Sequence, residues 1–396
     1  MHDAGGPRLR SRSFDDRPLL VLWETTKACA LACAHCRADA QPVPGPDDLS
    51  FEHGREMIDS LAALGAPRPI LILTGGDCLA RPDLPGLVEH ARAAKLPVAV
   101  APSVTPRLNR EAMSVLHKLG VRTASVSLDG ASSTSHDSLR GVAGHFDETL
   151  HRILMLKESG YTVQVNTTVT SDNISELARI AAVIYRAKVD IWEVFFLIST
   201  GRGTEVSATT PEQNEDVCHF LVDASRYGMT VRTVEAPFFR RVALERRQAE
   251  GVATEVAFDV GATYLDLRDE LIDELGAPSS SMRAPSAATR DGKGVIFVAN
   301  NGDVYPSGFL PLRLGNVRER DLVDIYRDSE VLQRIRRAEF SGSCGACAYA
   351  DLCGGSRARA FAASGDPLAD DPGCLLVHLG HAESGVASTR ARSMSE

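Results

Sequence analysis

Short apolar runs alternate with amphipathic stretches along most of the chain after residue 18. The runs are short and rich in β-branched residues, as buried strands are. The stretches between them repeat apolar residues every three or four positions, as helices do. This alternation predicts a parallel sheet covered by helices. The predicted strands are 19–25, 69–74, 97–102, 123–128, 162–170 and 191–198, and the predicted helices are 51–65, 83–94, 107–119, 145–159 and 174–187.

The alternation ends near residue 200. Beyond it, a stretch rich in Pro, Ser, Ala and Gly indicates a linker, and the polar ends of the chain indicate disordered tails. The predictions for these parts are a sixth helix at 211–228, a strand at 229–234, helical spacing over 237–275, a linker at 276–293, and tails at 1–17 and 383–396.

Composition narrows the class of protein. The chain has 396 residues, of which 44% are hydrophobic, and this length is enough for two domains. The net charge of −9 disfavours nucleic-acid binding, which needs basic surface. No apolar run reaches the roughly 20 residues that span a bilayer, and the first residues lack the apolar core of a signal peptide. We therefore expect a cytoplasmic protein with no membrane span. In that reducing compartment, nine cysteines indicate metal ligands rather than disulfides.

Three of these cysteines follow the first predicted strand in a C-x3-C-x2-C loop, at Cys29, Cys33 and Cys36. Soft thiolates favour iron–sulfur clusters, and three of them can hold three irons of a four-iron, four-sulfur cube. The fourth iron then lacks a protein ligand and can bind a small molecule. A structural zinc loop is the alternative. Zinc usually needs a second ligand pair nearby, and no such pair lies near Cys29.

Three motifs resemble the signature of the radical SAM superfamily. The resemblance implies an α/β fold with a partial (β/α)6 TIM-type barrel, in which the site lies at the C-terminal strand ends. It also implies a radical SAM oxidoreductase or lyase that reductively cleaves S-adenosylmethionine (SAM), bound to the open iron. The resulting 5′-deoxyadenosyl radical abstracts hydrogen from a substrate. The motifs are the cysteine loop, Gly75-Gly76-Asp77 after the second strand, and Ser127-Leu-Asp129-Gly130 with His136-Asp137 and Arg140-Gly141.

The same resemblance implies the SAM contacts. This chain has Asp77 where the family has Glu, and an aspartate can still accept from an ammonium group. Cys78 replaces the family's Pro and is interpreted as an inert substitution. An arginine suits the SAM carboxylate because its donors form a fork. No general base can be named from the sequence. The implied SAM contacts are His35, Gly75, Gly76, Asp77, Ser127, Arg140 and Asn166.

A second cysteine set near the C-terminus resembles the SPASM extension of radical SAM enzymes. By that resemblance the set ligates one auxiliary [4Fe–4S] cluster, which makes two clusters in the chain. Spacing alone does not exclude a four-cysteine zinc site. A full SPASM domain has seven cysteines and two clusters, but this chain has Ser307, and Ser356 with Arg357, where further cysteines would stand. Cys218 is predicted to be a core residue. The four cysteines are Cys344, Cys347, Cys353 and Cys374.

These assignments divide the chain into five segments. The expected segments are a tail at 1–17, the radical SAM barrel at 18–235, a helical bridge and linker at 236–293, a SPASM-like domain at 294–382, and a tail at 383–396.

The C-terminal segment also bears on the substrate. Residues 353–374 and 302–317 resemble the radical SAM enzymes of alternative heme and heme d1 biosynthesis, which implies oxidative modification or decarboxylation of a tetrapyrrole side chain. Arginines between residues 232 and 247 are candidate partners for its carboxylates. Related segments occur in the mycofactocin and pyrroloquinoline quinone enzymes, so modification of a ribosomally made peptide is the alternative. The family also implies an electron donor such as flavodoxin or ferredoxin. A rival of another class is a non-catalytic iron–sulfur or zinc protein.

Overall fold

Eleven strands form one sheet in the computed structural model, which describes residues 14–249, 258–284 and 288–380. Seven strands from the first part of the chain are parallel, and their spatial order follows their order in the sequence. They are β1 (Leu20–Glu24), β2 (Ile70–Thr74), β3 (Val98–Val100), β4 (Thr123–Ser127), β5 (Thr162–Val169), β6 (Ile191–Phe196) and β7 (Thr230–Val234).

Helices connect these strands, as parallel pairing requires. Sequence-encoded caps define several helix starts. The Ser50 side chain accepts from the His53 amide, and Thr210 and Gln213 form a reciprocal capping box. The helices are α1 (Phe51–Ala63), α2 (Leu84–Ala93), α3 (Arg110–Lys118), α4 (Ser133–Arg140), α5 (His145–Glu158), α6 (Leu177–Arg186) and α7 (Pro211–Ala224), with 3₁₀ turns at Cys78–Ala80, Ile174–Glu176, Gly201–Glu205 and Ser225–Tyr227.

The C-terminal part extends the same sheet on its other edge. Strand β9 pairs in parallel with β1, and two antiparallel strands follow it. The elements of this part are β8 (Arg290–Asp291), β9 (Gly294–Val298), β10 (Asp303–Tyr305), β11 (Gly315–Asn316), α8 (Phe239–Ala249), α9 (Ala262–Leu275), α10 (Leu322–Asp328), α11 (Glu330–Arg336), α12 (Gly342–Ala346), α13 (Arg357–Ser364) and α14 (Leu375–His378).

All six predicted strands are confirmed, and the strand predicted at 229–234 is β7. Two differences concern local structure. The sequence analysis missed α4, whereas the helical spacing predicted over 237–275 is confirmed by α8 and α9 in the described residues of that segment. The predicted linker at 276–293 contains β8, whose Arg290 and Asp291 are both buried. The hydrophobic pattern does not reveal β8 because two residues are too few to show the alternation of a strand.

The segment before β1 also differs from the expectation of a tail at 1–17. Phe14 is buried, and the Tyr326 hydroxyl donates to its carbonyl at 2.6 Å. Arg17 Nη1 donates to the Leu64 carbonyl at 2.9 Å. Residues 14–17 therefore pack on the domain. Residues 1–13 and the predicted tail at 383–396 lie outside the described residues.

Alternation within the strands separates two faces of the sheet. On β6, the side chains of Trp192, Val194 and Phe196 are buried among the helices, whereas Glu193 and Phe195 face the barrel interior. The interior opens at the C-terminal strand ends, where the loops gather. Within the described ranges, no helix is long and apolar enough to cross a bilayer.

Candidate active site

A cavity of about 230 Å³ lies at the C-terminal ends of the strands. All three cysteines of the first loop line it, together with residues from β2, β4, β5 and β6 and from the loops that follow β3, β6 and β10. Six of the seven predicted SAM contacts line the same cavity: His35, Gly75, Gly76, Ser127, Arg140 and Asn166. The fold therefore brings together predicted site residues that are up to 137 positions apart, from Cys29 to Asn166.

Backbone hydrogen bonds hold the cysteine loop in place. The Cys29 amide donates to the Gln41 carbonyl at 2.7 Å, and the Ala34 amide donates to the Leu139 carbonyl at 2.9 Å. From the loop after β6, Arg202 Nε donates to the Cys33 carbonyl at 3.0 Å. The loop is thus fixed from three sides before any cofactor binds.

Donors also surround the sulfur atoms. Burial raises the pKa of the Cys29 thiol, and a hydrogen bond from the Leu31 amide at 3.4 Å acts in the opposite direction. Arg140 Nη1 donates to Cys33 Sγ at 3.6 Å. Donors of this kind favour the thiolate, which is the form that binds metal.

Two glycines let β2 meet the cysteine loop. A Cβ on Gly76 would lie 2.5 Å from the Ala28 carbonyl oxygen and 2.6 Å from that of Lys27. These are backbone atoms that cannot turn aside. Gly75 has φ +148°, a value that L-residues rarely adopt. Glycine is required here because the loop packs directly on the strand end.

Buried polar atoms without partners face the cavity. Arg140 pairs with Asp129 through Nη2, but its Nε has no acceptor. His35 lies 3.8 Å from the same carboxylate through Nε2, and its Nδ1 has no partner. Burial would raise the pKa of Asp129, but the Arg140 guanidinium holds it below the ordinary value. Burial lowers the pKa of His35 to about 4, so its ring is neutral. Orphaned buried groups beside a cavity fit a polar ligand such as SAM.

Asp77 is the predicted contact that does not line the cavity. Its Oδ1 accepts from the Leu79 amide at 3.1 Å, and its Oδ2 accepts from the Thr105 hydroxyl at 2.8 Å. The carboxylate therefore caps the short 3₁₀ turn after β2. Cys78 follows it, is fully buried, and is not among the lining residues.

The sequence analysis missed one apolar wall of the cavity and one cation. The wall includes Phe195 and Phe309, whose ring centroids are 6.1 Å apart. The cation is Arg37, whose guanidinium lies 4.5 Å from the centroid of the Phe297 ring. Phe195 could have been found from its alternate position on β6. The others depend on contacts between distant segments, 114 residues apart for Phe309 with Phe195 and 260 residues apart for Arg37 with Phe297.

The four C-terminal cysteines have a similar set of donors. Amide groups of Asp371, Tyr349 and Gly355 donate at 3.4, 3.4 and 3.5 Å to Cys344, Cys347 and Cys353, respectively. Arg357 Nη2, at the position where a further cysteine was considered, donates to Cys344 Sγ at 3.7 Å. Amide donors to sulfur are the environment in which iron–sulfur clusters are held. Cys218 is fully buried on α7, as predicted.

In the part of the chain that the structure describes, no group of three or more His, Cys, Asp or Glu side chains converges as around one metal ion.

The arginines between residues 232 and 247 are mostly engaged by the protein itself. Arg240 donates to the Thr289 and Leu352 carbonyls, Arg241 pairs with Glu215, and Arg246 pairs with Asp223. They lie outside the cavity lining. This corrects the expectation that the cluster is available for substrate carboxylates.

Comparisons with known proteins now decide the family. The model described as "Radical SAM superfamily" matches residues 23–184, and that of an "Iron-sulfur cluster-binding domain", SPASM, matches residues 290–348. A protein named "AdoMet-dependent heme synthase" from Oleidesulfovibrio alaskensis is 34% identical over 359 residues, which cover 90% of this chain and 86% of the relative. The chain belongs to the radical SAM superfamily.

More distant relatives of this radical SAM enzyme differ in name. "Pre-heme d1 synthase" from Dinoroseobacter shibae is 29% identical and covers 93% of this chain and 88% of its own length. "Mycofactocin maturase MftC" from Mycobacterium tuberculosis is 26% identical, with 95% and 86% coverage. The solved structure of Streptococcus suis SuiB bound to precursor peptide SuiA has the same fold, with a TM-score of 0.64, 16% identity, and coverage of 90% of this chain and 75% of that one.

The family defines the cofactors. Radical SAM enzymes use a [4Fe–4S] cluster and SAM, and a SPASM domain binds additional clusters. When both are bound, the reduced [4Fe–4S] cluster would cleave SAM, and the cleavage would supply a 5′-deoxyadenosyl radical. The protein's part is to position the reactants and exclude water, which the buried loop, the β2 turn and the apolar wall can do.

Proposed function

We propose that this enzyme oxidatively decarboxylates propionate side chains of a tetrapyrrole. One observation carries the proposal: the cavity is lined by aromatic and aliphatic side chains and by a cation, two of whose donor groups have no acceptor among the described residues. A macrocycle offers a flat apolar face to the wall and a carboxylate to the cation. The heme-pathway names of the relatives point to the same substrate class.

Arg37 is the cation. One edge of its guanidinium is taken by Glu24, which is buried and accepts from Nη2 at 3.0 Å. Phe297 supports its face, and Gly308 leaves room for it, because a Cβ there would lie 3.2 Å from Nε. Among the described residues, Nε and Nη1 have no acceptor. Each can donate one hydrogen bond to a propionate oxygen, from different edges of the guanidinium.

Site residues follow from the same geometry. We infer that Cys29, Cys33 and Cys36 hold the SAM cluster, and that Cys344, Cys347, Cys353 and Cys374 hold one auxiliary cluster. The orphaned Arg140 Nε is suited to the SAM carboxylate, and the Gly75–Gly76 backbone is suited to the amino group. The remaining SAM contacts that we infer are His35, Ser127 and Asn166.

In the proposed reaction, one hydrogen atom of the propionate side chain passes to the adenosyl radical, carbon dioxide leaves, and a vinyl group remains. The surplus electron passes to the auxiliary cluster. A flavodoxin or ferredoxin in the reducing cytoplasm would supply the electron that starts each turnover.

The test is a comparison of two porphyrins, one with free propionates and one with the same side chains as methyl esters. With SAM and a reductant, we expect vinyl product from the first alone, detected by mass spectrometry. Arg37→Gln should weaken binding of the free acid about tenfold to a hundredfold and leave binding of the ester unchanged. Arg37→Lys should restore part of the affinity. If the wild type converts neither porphyrin, the proposal is wrong.

Peptide modification is the second candidate, and the full-length similarity to a mycofactocin maturase favours it. It predicts that porphyrin does not stimulate SAM cleavage, whereas a precursor peptide encoded beside the gene does. The same assay of 5′-deoxyadenosine therefore separates the two candidates.

A further inference from the structure

Glu235 stands out at the junction of the barrel and the C-terminal part. It follows β7 directly and is 6% exposed. Its φ is +59°, in the left-handed region that side chains other than Gly, Asn and Asp seldom adopt. A buried glutamate held in this conformation is not explained by local sequence. Such outliers often mark functional positions.

Its two carboxyl oxygens have different environments. Oε2 accepts from the Ser356 hydroxyl, whereas Oε1 is buried and has no protein donor. Asp291, on β8, carries a second carboxyl group near that of Glu235. A buried carboxylate oxygen without a donor is costly, and protonation of Glu235 removes the charge.

Charged groups from three further segments face these two carboxyl groups. Arg359 on α13 donates to the Glu235 carbonyl at 2.9 Å and pairs with Asp371 at 3.0 Å. Arg240 on α8 is close enough to Asp291 for their charges to interact. Burial, and then the Asp291 charge, raise the pKa of Glu235 well above its ordinary value, despite Ser356 and Arg359. The cations do not remove the need for a proton.

A short chain of hydrogen bonds links Glu235 to the second cysteine set. Ser356 donates through its hydroxyl to Glu235, and through its amide to Asp371 Oδ2 at 2.7 Å. The Asp371 amide in turn donates to Cys344 Sγ at 3.4 Å. Asp371 is fully buried, so charge at either end is poorly screened by solvent.

We propose that Glu235 is a buried acid whose protonation is coupled to the electron on the auxiliary cluster. The coupling rests on the proposed assignment of that cluster to the four C-terminal cysteines. When the cluster takes one electron from the substrate or from an added reductant, Glu235 takes up one proton from solvent. This keeps the charge of the buried junction constant and makes the electron easier to accept.

The sign of the effect is fixed by electrostatics. Reduction adds negative charge and raises the pKa of Glu235 further. Between the Glu235 pKa with an oxidised cluster and that with a reduced one, the midpoint potential falls as pH rises. The slope approaches 59 mV for each tenfold change in proton concentration. Outside that window the potential is independent of pH.

The experiment is a redox titration of the auxiliary cluster in the reconstituted holoenzyme at several pH values, followed by electron paramagnetic resonance. We expect the wild-type potential to fall through one sigmoidal step. Glu235→Gln imitates the protonated acid and should remain near the low-pH potential at every pH. Infrared spectra should show a protonated-carboxyl band in the wild type that Glu235→Gln lacks.

Glu193→Gln is the matched control. Glu193 is a half-buried glutamate whose pKa is also raised by burial, but it lies on β6, where its carboxylate accepts from Gln164 Nε2 at 2.8 Å. Its variant should keep the wild-type pH dependence. A wild-type auxiliary potential that is flat with pH overturns the coupling while leaving the cluster assignment intact. An auxiliary signal that survives loss of the C-terminal cysteines overturns the assignment itself, and the coupling with it.

Discussion

Gly76 shows how tightly single residues constrain this site. The backbone of β2 touches the cysteine loop at a position where no side chain fits. We predict that Gly76→Ala lowers the free energy of unfolding by about 1–3 kcal/mol, because backbone must move to admit the methyl group. The displaced loop should also lose iron. Urea denaturation followed by circular dichroism, and the iron-to-protein ratio, measure the two effects.

Gly45→Ala is the control for this prediction. A Cβ at Gly45 would lie 4.0 Å from the Asp47 amide nitrogen, which is ordinary van der Waals contact. This variant should change stability by no more than about 0.5 kcal/mol and should keep its iron. Equal effects of the two substitutions would contradict the steric account.

At the residue scale, the cysteines and glycines could be identified from the sequence because their chemistry is local and their spacing is short. Arg37 could not be. Nothing in its neighbourhood distinguishes it from other arginines until Phe297 and Gly308 fold onto it. For Asp77, the residue type indicated an acceptor, but the direction of its carboxylate could not be read from the sequence. The carboxylate instead accepts from the Thr105 hydroxyl.

At the element scale, α4 and α5 are joined by a directional chain of hydrogen bonds. The Asp129 amide donates to His136 Nδ1 at 3.1 Å, so His136 Nε2 carries the proton and donates to His145 Nδ1 at 2.9 Å. His145 Nε2 then donates to the Val104 carbonyl at 3.1 Å. The backbone groups at both ends fix the tautomers, and the chain requires both rings to be neutral.

This chain predicts loss of stability in mild acid. Burial lowers the pKa of His136 from 6.5 to about 4, so the unfolded chain binds the proton more tightly. The contribution of the neutral His136 ring to the free energy of unfolding is fully present above about pH 6.5. It falls by about 3 kcal/mol as the pH drops to about 4. His136→Phe should be less stable at pH 7 but lose less stability between pH 7 and 5. Urea unfolding at each pH measures this, and parallel curves for both proteins would refute it.

The strands of the barrel were predictable because each buries an apolar face, and its pattern is written within five to eight residues. Helix α4 was missed because its sequence, Ser133–Arg140, is polar and only His136 and Arg140 are buried. The pairing of β9 with β1 joins residues about 275 positions apart. No local pattern encodes such a contact.

At the scale of the whole molecule, the two cysteine sets should carry separate clusters. We predict about eight irons per reconstituted chain, as two four-iron cubes. Replacing Cys344 and Cys347 by Ala should reduce the count to about four and abolish product, while SAM cleavage persists. Iron analysis and the yield of 5′-deoxyadenosine measure both.

Cys218→Ala is the matched control. This thiol is buried near Cys353 and Cys374 but is not assigned as a ligand. Its variant should retain about eight irons. A fall to about four irons in Cys218→Ala, or eight irons in the double variant, would show that the ligand assignment is wrong.

The proposed cleavage of SAM requires that Cys29, Cys33 and Cys36 hold a cluster with one iron open to SAM. Its most direct test is 5′-deoxyadenosine formation from SAM by anaerobically reconstituted, dithionite-reduced protein, compared with Cys33→Ala. We predict steady formation by the wild type and only background formation by the variant. Equal yields from the two proteins, or none from fully iron-loaded wild type, would contradict the account.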